Sequence, residues 1–546
     1  MCSHGRRVFR YKRSVMAPRI RPLVWTLLLG CSGAGPVAAG TASSSPPIPT
    51  RPLPTALVDL PACPDPASAS PDEGPPRPDL PHRHALDADA AGREQYDALL
   101  EHLGARPFTP MIPPDHGYEG VRRLLQPPIE IEPTQGVDLD ATDLRVVSEL
   151  GFGESPSRSE AQVTADLLPL LASLVHIDSQ SRREEGNREV QRILAERLIA
   201  IGFALEPHER EGVMIARLTP PTASGARLLL IGHTDTVLPP DAMQPALCRR
   251  GEEIRGSGVG DMKGGLVVMV AALEALHRAG ALADRRITVL LNSDEEIGSQ
   301  RSRALIAQEA SEHDLGLNFE SGKITAAAGG GVTLARKGIL ALEIDLFGES
   351  AHSGVAHHEG IDAGRVAARV VESLGWLNDY RDGTTVNIGI LEPNDDTADN
   401  RVLWRVHLGG EIRYWRPEQL AELEQRLRTL LAGAMVCNPY VDPERPVCSD
   451  FTVRTRGRPA SPSTPARVAW FRQLAALAEA LGAPVSAVAS GGASDMNLAS
   501  QLDMLDSFGP IGAGTHTPEE RIPWPTLPMR ARLTALTLLR TAGWSP

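Results

Sequence analysis

The sequence predicts an α/β fold: a split domain with a helix-covered, largely parallel sheet, interrupted by an inserted α+β module. Three observations predict it. The apolar runs "RLLLIG", "RITVLLNS" and "DLGLNFE" alternate with helical periodicity, the pattern of strands covered by helices. From about Lys337 the texture changes to strands with alternating faces, in "GILALEIDLFGES", "TTVNIGILE" and "LWRVHLGGEIRYW". After "FTVRTRGRPA" helix–strand alternation returns, so the second texture is an insertion.

Taken in order, residues 1–39 read as an export signal. Arg6, Arg7, Arg10, Lys12, Arg13, Arg19 and Arg21 precede the short apolar run "LVWTLLLGCSGAGPVAAG". Met1 and Met16 are both usable starts. Three readings of the signal stay open: lipidation at Cys31 in "LLGC", cleavage after Ala39, and a twin-arginine signal at Arg6. Residues 40–160 are rich in Pro, Ala, Ser and Asp, too poor in apolar surface to offset ordering. They read as a tether to about Pro81, then a loosely structured extension with one short helix in "AGREQYDALLEHLG".

The first part of the split domain is expected over 161–336. "ADLLPLLASLVHI" is amphipathic, and Val190, Ile193, Leu194, Leu198 and Ile201 recur at helical spacing up to Gly202. Strand "RLLLIG", a helix over 264–277, strand "RITVLLNS", a helix near "SRALIAQEA" and strand "DLGLNFE" follow. The insertion is expected over 337–450, with helices near "GRVAARVVESLGWL" and "PEQLAELEQRLRTLL". The second part, 451–546, runs through "RVAWFRQLAALAEALG" and "MLDSFGPIG" to a last helix over 530–542.

Bulk properties narrow the function. At 546 residues the chain can hold two or three domains with cores of their own. A net charge of -13 with no long basic run argues against nucleic acid and against charge-driven membrane binding. None of the six cysteines shows C-x-x-C spacing, so thiolate zinc is not indicated. Cys437 and Cys448 flank "NPYVDPERPV"; a disulfide and two separate thiols are both compatible with that.

The chemistry sits at strand ends. Apolar runs terminate in His233, in Glu295 and Glu296, and in Glu320. Asp261 lies in the Gly-rich turn "GSGVGDMKGG" that opens a helix, and His516 in "GAGTHTPEE". Side chains just past the carboxyl ends of parallel strands share one crevice. "GSGVGD" is not a nucleotide loop, because Asp261 stands where that pattern needs Lys and then Ser or Thr. Imidazoles with carboxylates suit zinc. So many buried acids need cations, and a carboxylate can bridge two ions about 4 Å apart.

In this order "GHTDTV", "GSGVGDMKGG", "LLNSDEEIGS", "ESAHSG", "RTRGRPA" and "GAGTH" resemble a known family. It is the two-zinc exopeptidase family of glutamate carboxypeptidases, aminoacylases, acetylornithine deacetylases and succinyl-diaminopimelate desuccinylases. The resemblance covers about 164–542 and is nearest to the bacterial glutamate carboxypeptidase branch, through "RTRGRPA" and "SGGASD". It implies two zinc ions per subunit, with cobalt or manganese as substitutes. His233 and Glu320 would hold one ion, Glu296 and His516 the other, and Asp261 would bridge them. Glu295 would be the general base and Asp235 would orient His233. The insertion would be a lid and dimerisation domain. From it His352 would reach the partner subunit's site and stabilise the oxyanion, Asn400 would assist the substrate, and Arg413 would fork onto a substrate carboxylate.

The implied reaction is hydrolysis of a peptide or amide bond. Either a carboxypeptidase releases a C-terminal amino acid, glutamate among the candidates, or a deacylase acts on an N-acyl amino acid. The alternative of another class is an inactive tethered binding protein. The implied partners are a small substrate and a second copy of the chain, in the periplasm, membrane-anchored if Cys31 is lipidated. The chain departs from relatives at Leu403 and Trp404, where they carry Pro, and in its long Pro-rich extension.

Overall fold

The computed structural model describes residues 9–10, 60–63, 127, 129, 131 and 136–541, the last stretch without 222, 224, 244, 395 and 441–445. The export signal other than 9–10, Cys31 and the helix expected over 91–104 lie outside the described residues. Numbered along the chain, the strands are β1 (Phe9–Arg10), β2 (Ala204–His208), β3 (Val213–Leu218), β4 (Arg227–His233), β5 (Leu247–Arg250), β6 (Glu253–Gly256), β7 (Arg286–Asn292), β8 (Leu315–Asn318) and β9 (Gly331–Arg336). They continue with β10 (Gly338–Phe347), β11 (Thr385–Pro393), β12 (Arg405–Tyr414), β13 (Cys437–Asn438), β14 (Val447–Cys448), β15 (Asp450–Arg458), β16 (Ser486–Ser490), β17 (Asp503–Leu505) and β18 (Arg521–Pro523). The helices are α1 (Ala141–Ser148), α2 (Glu160–Val175), α3 (Glu184–Ala200), α4 (Lys263–Arg278), α5 (Arg303–Glu312), α6 (Ala363–Gly375), α7 (Gln419–Ala434), α8 (Pro465–Ala480) and α9 (Thr526–Arg540).

The main sheet runs β17-β8-β4-β7-β3-β2. Its first four strands are mutually parallel, and β3 and β2 add antiparallel at the far edge. Leu228 to Ile231 of β4 are buried without alternation, as a strand covered on both faces requires. Helix α4 is buried from Lys263 to Leu276 and packs against α9 and α2. Its close approach to the sheet depends on two glycines. A Cβ on Gly232 would meet Leu266 Cδ2 at 2.5 Å, and one on Gly265 would meet the Phe319 carbonyl at 1.9 Å. Both contacts lie beside site residues, so the glycines let the start of α4 settle over the ends of β4 and β8.

The insertion is a second layer structure. β15, β10, β12 and β11 form an antiparallel sheet, with β1 at the β15 edge. Leu340, Leu342, Ile344 and Leu346 alternate along β10 and pack with Val366 and Val370 of α6 and Leu423 and Leu427 of α7. Each such side chain contributes about 1.5–3 kcal/mol by burial.

Three boundaries differ from expectation. β15 belongs to the insertion's sheet, because Phe451 and Val453 point into that core, so the insertion extends past 450. The first domain begins before 161: α1, capped by Asp140, buries Val146 and Val147 in the main core, and Leu150 in the turn after it joins them. The last helix starts at Thr526 rather than 530, because Pro528 falls in the first turn, where a missing N–H costs nothing.

The expected tether is pinned at one point. Arg249 N–H donates to the Pro61 carbonyl at 2.9 Å and Cys63 N–H to the Arg249 carbonyl at 3.0 Å, adding a rung beside β5. Cys63 and Cys248 form a disulfide with a sequence separation of 185, a pairing that no spacing suggested. Cys437 and Cys448 form a second, with a separation of 11. By the chain-entropy account the longer loop is worth about 5 kcal/mol and the shorter about 3. Calorimetry is therefore expected to show a larger drop in Tm for Cys63→Ser/Cys248→Ser than for Cys437→Ser/Cys448→Ser. The reverse order would mean that the strap adds less than its loop length implies.

Candidate metal centre

His233 ends β4 and is 1% exposed. Its main-chain N–H donates to Met262 Sδ at 3.1 Å, and its Nδ1 lies 2.9 Å from the Asp235 carbonyl oxygen. The Asp235 carboxylate is 3.4 Å from the same nitrogen, so residue 235 orients the ring chiefly through its main chain. That carboxylate has a second task. It accepts the N–H groups of Glu295 at 3.2 Å and Glu296 at 3.1 Å and the Ser181 hydroxyl at 2.6 Å, which pins the turn after β7.

The expected ligand side chains converge. His233 Nε2 lies 3.2 Å from Asp261 and 3.8 Å from Glu320. His516 Nε2 lies 3.3 Å from the other Asp261 oxygen and 3.1 Å from Glu296. Asp261 thus stands between the two imidazoles. Ligand atoms of His233, Asp261 and Glu296 all lie within 4.8 Å of one another, and so do those of His233, Glu295 and Glu320.

Electrostatics point to a cation. Burial and then the charge of Asp261 push Glu296 up to about 7. The same two causes hold Glu320 well above the usual carboxylate range. Burial works against charge on Asp261, but its bonds to His233 and His516 outweigh that and hold it well below the usual range. His516 is raised to about 11 by its bonds to Asp261 and Glu296. Burial likewise opposes charge on His233, and its bonds to Asp235 and Asp261 overcome it. Protons on imidazoles and carboxyls thus do the neutralising that a divalent ion would do. Glu296 Oε1 is buried with no hydrogen-bond partner, an acceptor that a cation would satisfy. The oxygen and nitrogen donors present fit divalent metals of the zinc type.

Glu295 points elsewhere than its neighbour. Its Oε1 accepts from Arg458 Nη1 at 2.6 Å, and Arg458 Nη2 donates to the Glu295 carbonyl at 2.8 Å and to Ser299 at 3.0 Å. Arg458, at the end of β15, therefore ties the insertion to the turn after β7.

The other expected residues stand on the insertion. His352 is exposed, and its Nδ1 accepts the N–H groups of Gly354 at 3.1 Å and Val355 at 3.2 Å. Asn400 shares that corner, its carbonyl accepting the Ser353 N–H at 2.9 Å. Arg413 already has partners: it forks onto Glu411 at 2.6 and 3.1 Å and donates to the Gly491 carbonyl at 2.8 Å. Three residues escaped sequence reasoning: Ser181, Arg458 and Glu520. Arg458 lay inside the quoted "RTRGRPA", and Glu520 ends "GAGTHTPEE" four positions past His516.

The sequence model of peptidase family M20/M25/M40 matches residues 229–540. Among named relatives, carboxypeptidase G2 of Pseudomonas sp. (strain RS-16) is 28% identical over 298 residues, which is 54% of this chain and 68% of that one. Succinyl-diaminopimelate desuccinylase of Xanthomonas campestris pv. campestris (strain 8004) is 27% identical over 383 residues, 66% of this chain and 94% of that one. Of solved structures, a tripeptidase from Staphylococcus aureus subsp. aureus Mu50 aligns with a TM-score of 0.57 at 21% identity, covering 70% of this chain and 99% of that one. An M20 family metallo-carboxypeptidase from Sulfolobus solfataricus aligns with a TM-score of 0.53 at 17% identity, covering 69% and 99%. These structural likenesses establish the shared fold.

Proposed function

This chain belongs to peptidase family M20/M25/M40, whose members are hydrolases that use divalent metals, and we propose that it is a two-zinc carboxypeptidase. It would release the C-terminal amino acid of a small peptide, glutamate being one candidate. The convergence of two imidazoles on three carboxylates, all at most 15% exposed at the side chain, carries this reading. His233 and Glu320 would hold one ion, Glu296 and His516 the second, with Asp261 shared; cobalt or manganese would suit the same donors. Divalent ions there supply charge that polarises the scissile carbonyl and acidifies water.

The chain's own groups do the rest. Glu295 takes a proton from the attacking water and delivers it to the departing nitrogen. Arg458 holds one of its oxygens and leaves the other for that proton. Because His352 Nδ1 is an acceptor, the neutral ring carries its proton on Nε2, which donates to the carbonyl oxygen as negative charge develops. His352 would act from a second copy of the chain. The edge strand β11, with Ile390 47% and Leu391 58% exposed, is the surface we assign to that dimer. Asn400 would assist the substrate beside His352. Arg413 would exchange Glu411 for the substrate's carboxylate, which its fork matches. The two disulfides suit an oxidising compartment, in keeping with periplasmic export and with an anchor at Cys31 if that residue is lipidated.

The desuccinylase relatives favour a second reading, an N-acyl amino acid deacylase, since the alignment spans 94% of the Xanthomonas enzyme. A panel of dipeptides and N-acyl amino acids, assayed with zinc and with chelator, separates the two. Turnover confined to substrates whose acyl side is an α-amino acyl residue supports the carboxypeptidase. Turnover confined to amino acids carrying a simple acyl group, succinyl among them, supports the deacylase. No turnover of either set would sink both and leave the inactive tethered binding protein.

A further inference from the structure

Glu520 is a buried carboxylate that the mechanism above does not use. It is 3% exposed and accepts three main-chain N–H groups: Gly258 on Oε2 at 2.8 Å, and Gly260 and Asp261 on Oε1 at 2.9 Å each. These donors form the turn that presents Asp261. Glu520 itself belongs to a hairpin whose stem is Ala513 and Arg521, which exchange N–H···O bonds of 3.0 and 2.9 Å. His516 sits within that hairpin at a φ of +64°, and β18, the strand that leaves it, pairs with β6 ahead of the Asp261 turn. Main-chain pairing brings hairpin and turn side by side, and the carboxylate sets their final spacing. Bonds to three donors make that spacing stiff, because withdrawing the carboxylate would strand buried N–H groups.

We infer that Glu520 is a positioning residue that fixes Asp261 against His516, and thereby sets the affinity of the cluster for a divalent ion without binding the ion itself. The inference rests on the reading of Asp261 and His516 as ligands. It also gives the "THTPEE" segment a division of labour: the histidine supplies a donor atom, and the last glutamate holds the opposing loop at the matching distance.

Glutamine at 520 preserves shape but turns one accepting oxygen into an NH₂ group facing an N–H donor, so at least one of the three bonds is lost. Zinc affinity of the full chain, measured by competition with a chromogenic chelator, is expected to fall about 10- to 100-fold in E520Q. The control is E519Q. Glu519 is in the same hairpin but 66% exposed and paired with Arg255, and the loss there is expected to stay under about twofold. E520D keeps the charge but withdraws it by one methylene; it is expected to lose affinity too, and serves if E520Q does not fold. A lower Tm with native zinc affinity in the folded protein would mean a purely structural role and overturn the inference. Native chain that takes up no zinc would instead overturn the metal reading, and this inference with it.

Discussion

Replacing Glu295 by glutamine is expected to lower kcat by about a thousandfold or more while the protein keeps its full complement of divalent ions. The geometry separates Glu295 from its neighbour. Both main-chain N–H groups are held by Asp235, but Glu296 turns towards His516 and Glu295 towards Arg458. Glutamine still offers an oxygen to Arg458 yet cannot take up a proton, so the variant removes one step and little geometry. A competing assignment exists, because Glu295 also comes within ligand distance of His233 and Glu320. Metal stoichiometry decides between them. Native stoichiometry with lost turnover makes Glu295 the base, and loss of an ion makes it a ligand. Turnover close to native in the loaded variant excludes both roles. The variant also leaves Arg458, itself 9% exposed at its side chain, without its carboxylate partner. Breaking a buried pair on one side costs about 3–5 kcal/mol, so kcat must be measured well below the lowered Tm.

The parts of this site that could be read in the sequence share a local signal. His233 and Glu320 terminate apolar runs that a parallel sheet buries on both faces, so each polar residue can only emerge at the strand's end. Asp261 was marked by glycines in a turn opening a helix. His516 ends no apolar run; it stands in a Gly-rich loop far along the chain, and the resemblance supplied its pairing with Glu296. Arg458 and Glu520 act through partners far away in the chain, and nothing beside them marks this. Glu519 and Glu520 look alike as a pair of acids, yet one is a solvated side chain and the other holds three buried N–H groups. The fold divides similarly. β10 announces itself by alternation over ten residues, whereas β5, β6 and β18 are three or four residues long and exist because they pair with one another. The Cys63–Cys248 strap lies in Pro-rich sequence whose composition argues for no structure at all; its order comes from the covalent link and one rung of pairing.

Removing the metals is the second large perturbation, and its pH dependence has a definite sign. Chelation is expected to abolish hydrolysis and lower Tm by several degrees, with recovery on adding zinc, since an ion at 1,000 times its Kd contributes about 4 kcal/mol to the folded state. In the metal-free chain Glu296 holds its proton up to about 7, against an ordinary value of 4.5. Between those pH values the folded chain binds a proton that the unfolded chain releases, so stability falls as pH rises. His516 acts in the same direction. Raised from 6.5 to about 11, its contribution is complete below 6.5 and is lost as pH climbs towards 11. Metal-free Tm is therefore expected to decline from pH 5 to pH 8. Ion binding requires these ligands deprotonated and releases their protons, so zinc affinity is expected to rise over the same interval. The difference in Tm between loaded and stripped protein should consequently widen with pH. If it narrowed, the acids around Asp261 would have to be neutralised in the native protein by something other than a bound cation, and the assignment of His233, Asp261, Glu296, Glu320 and His516 as one metal centre would fail.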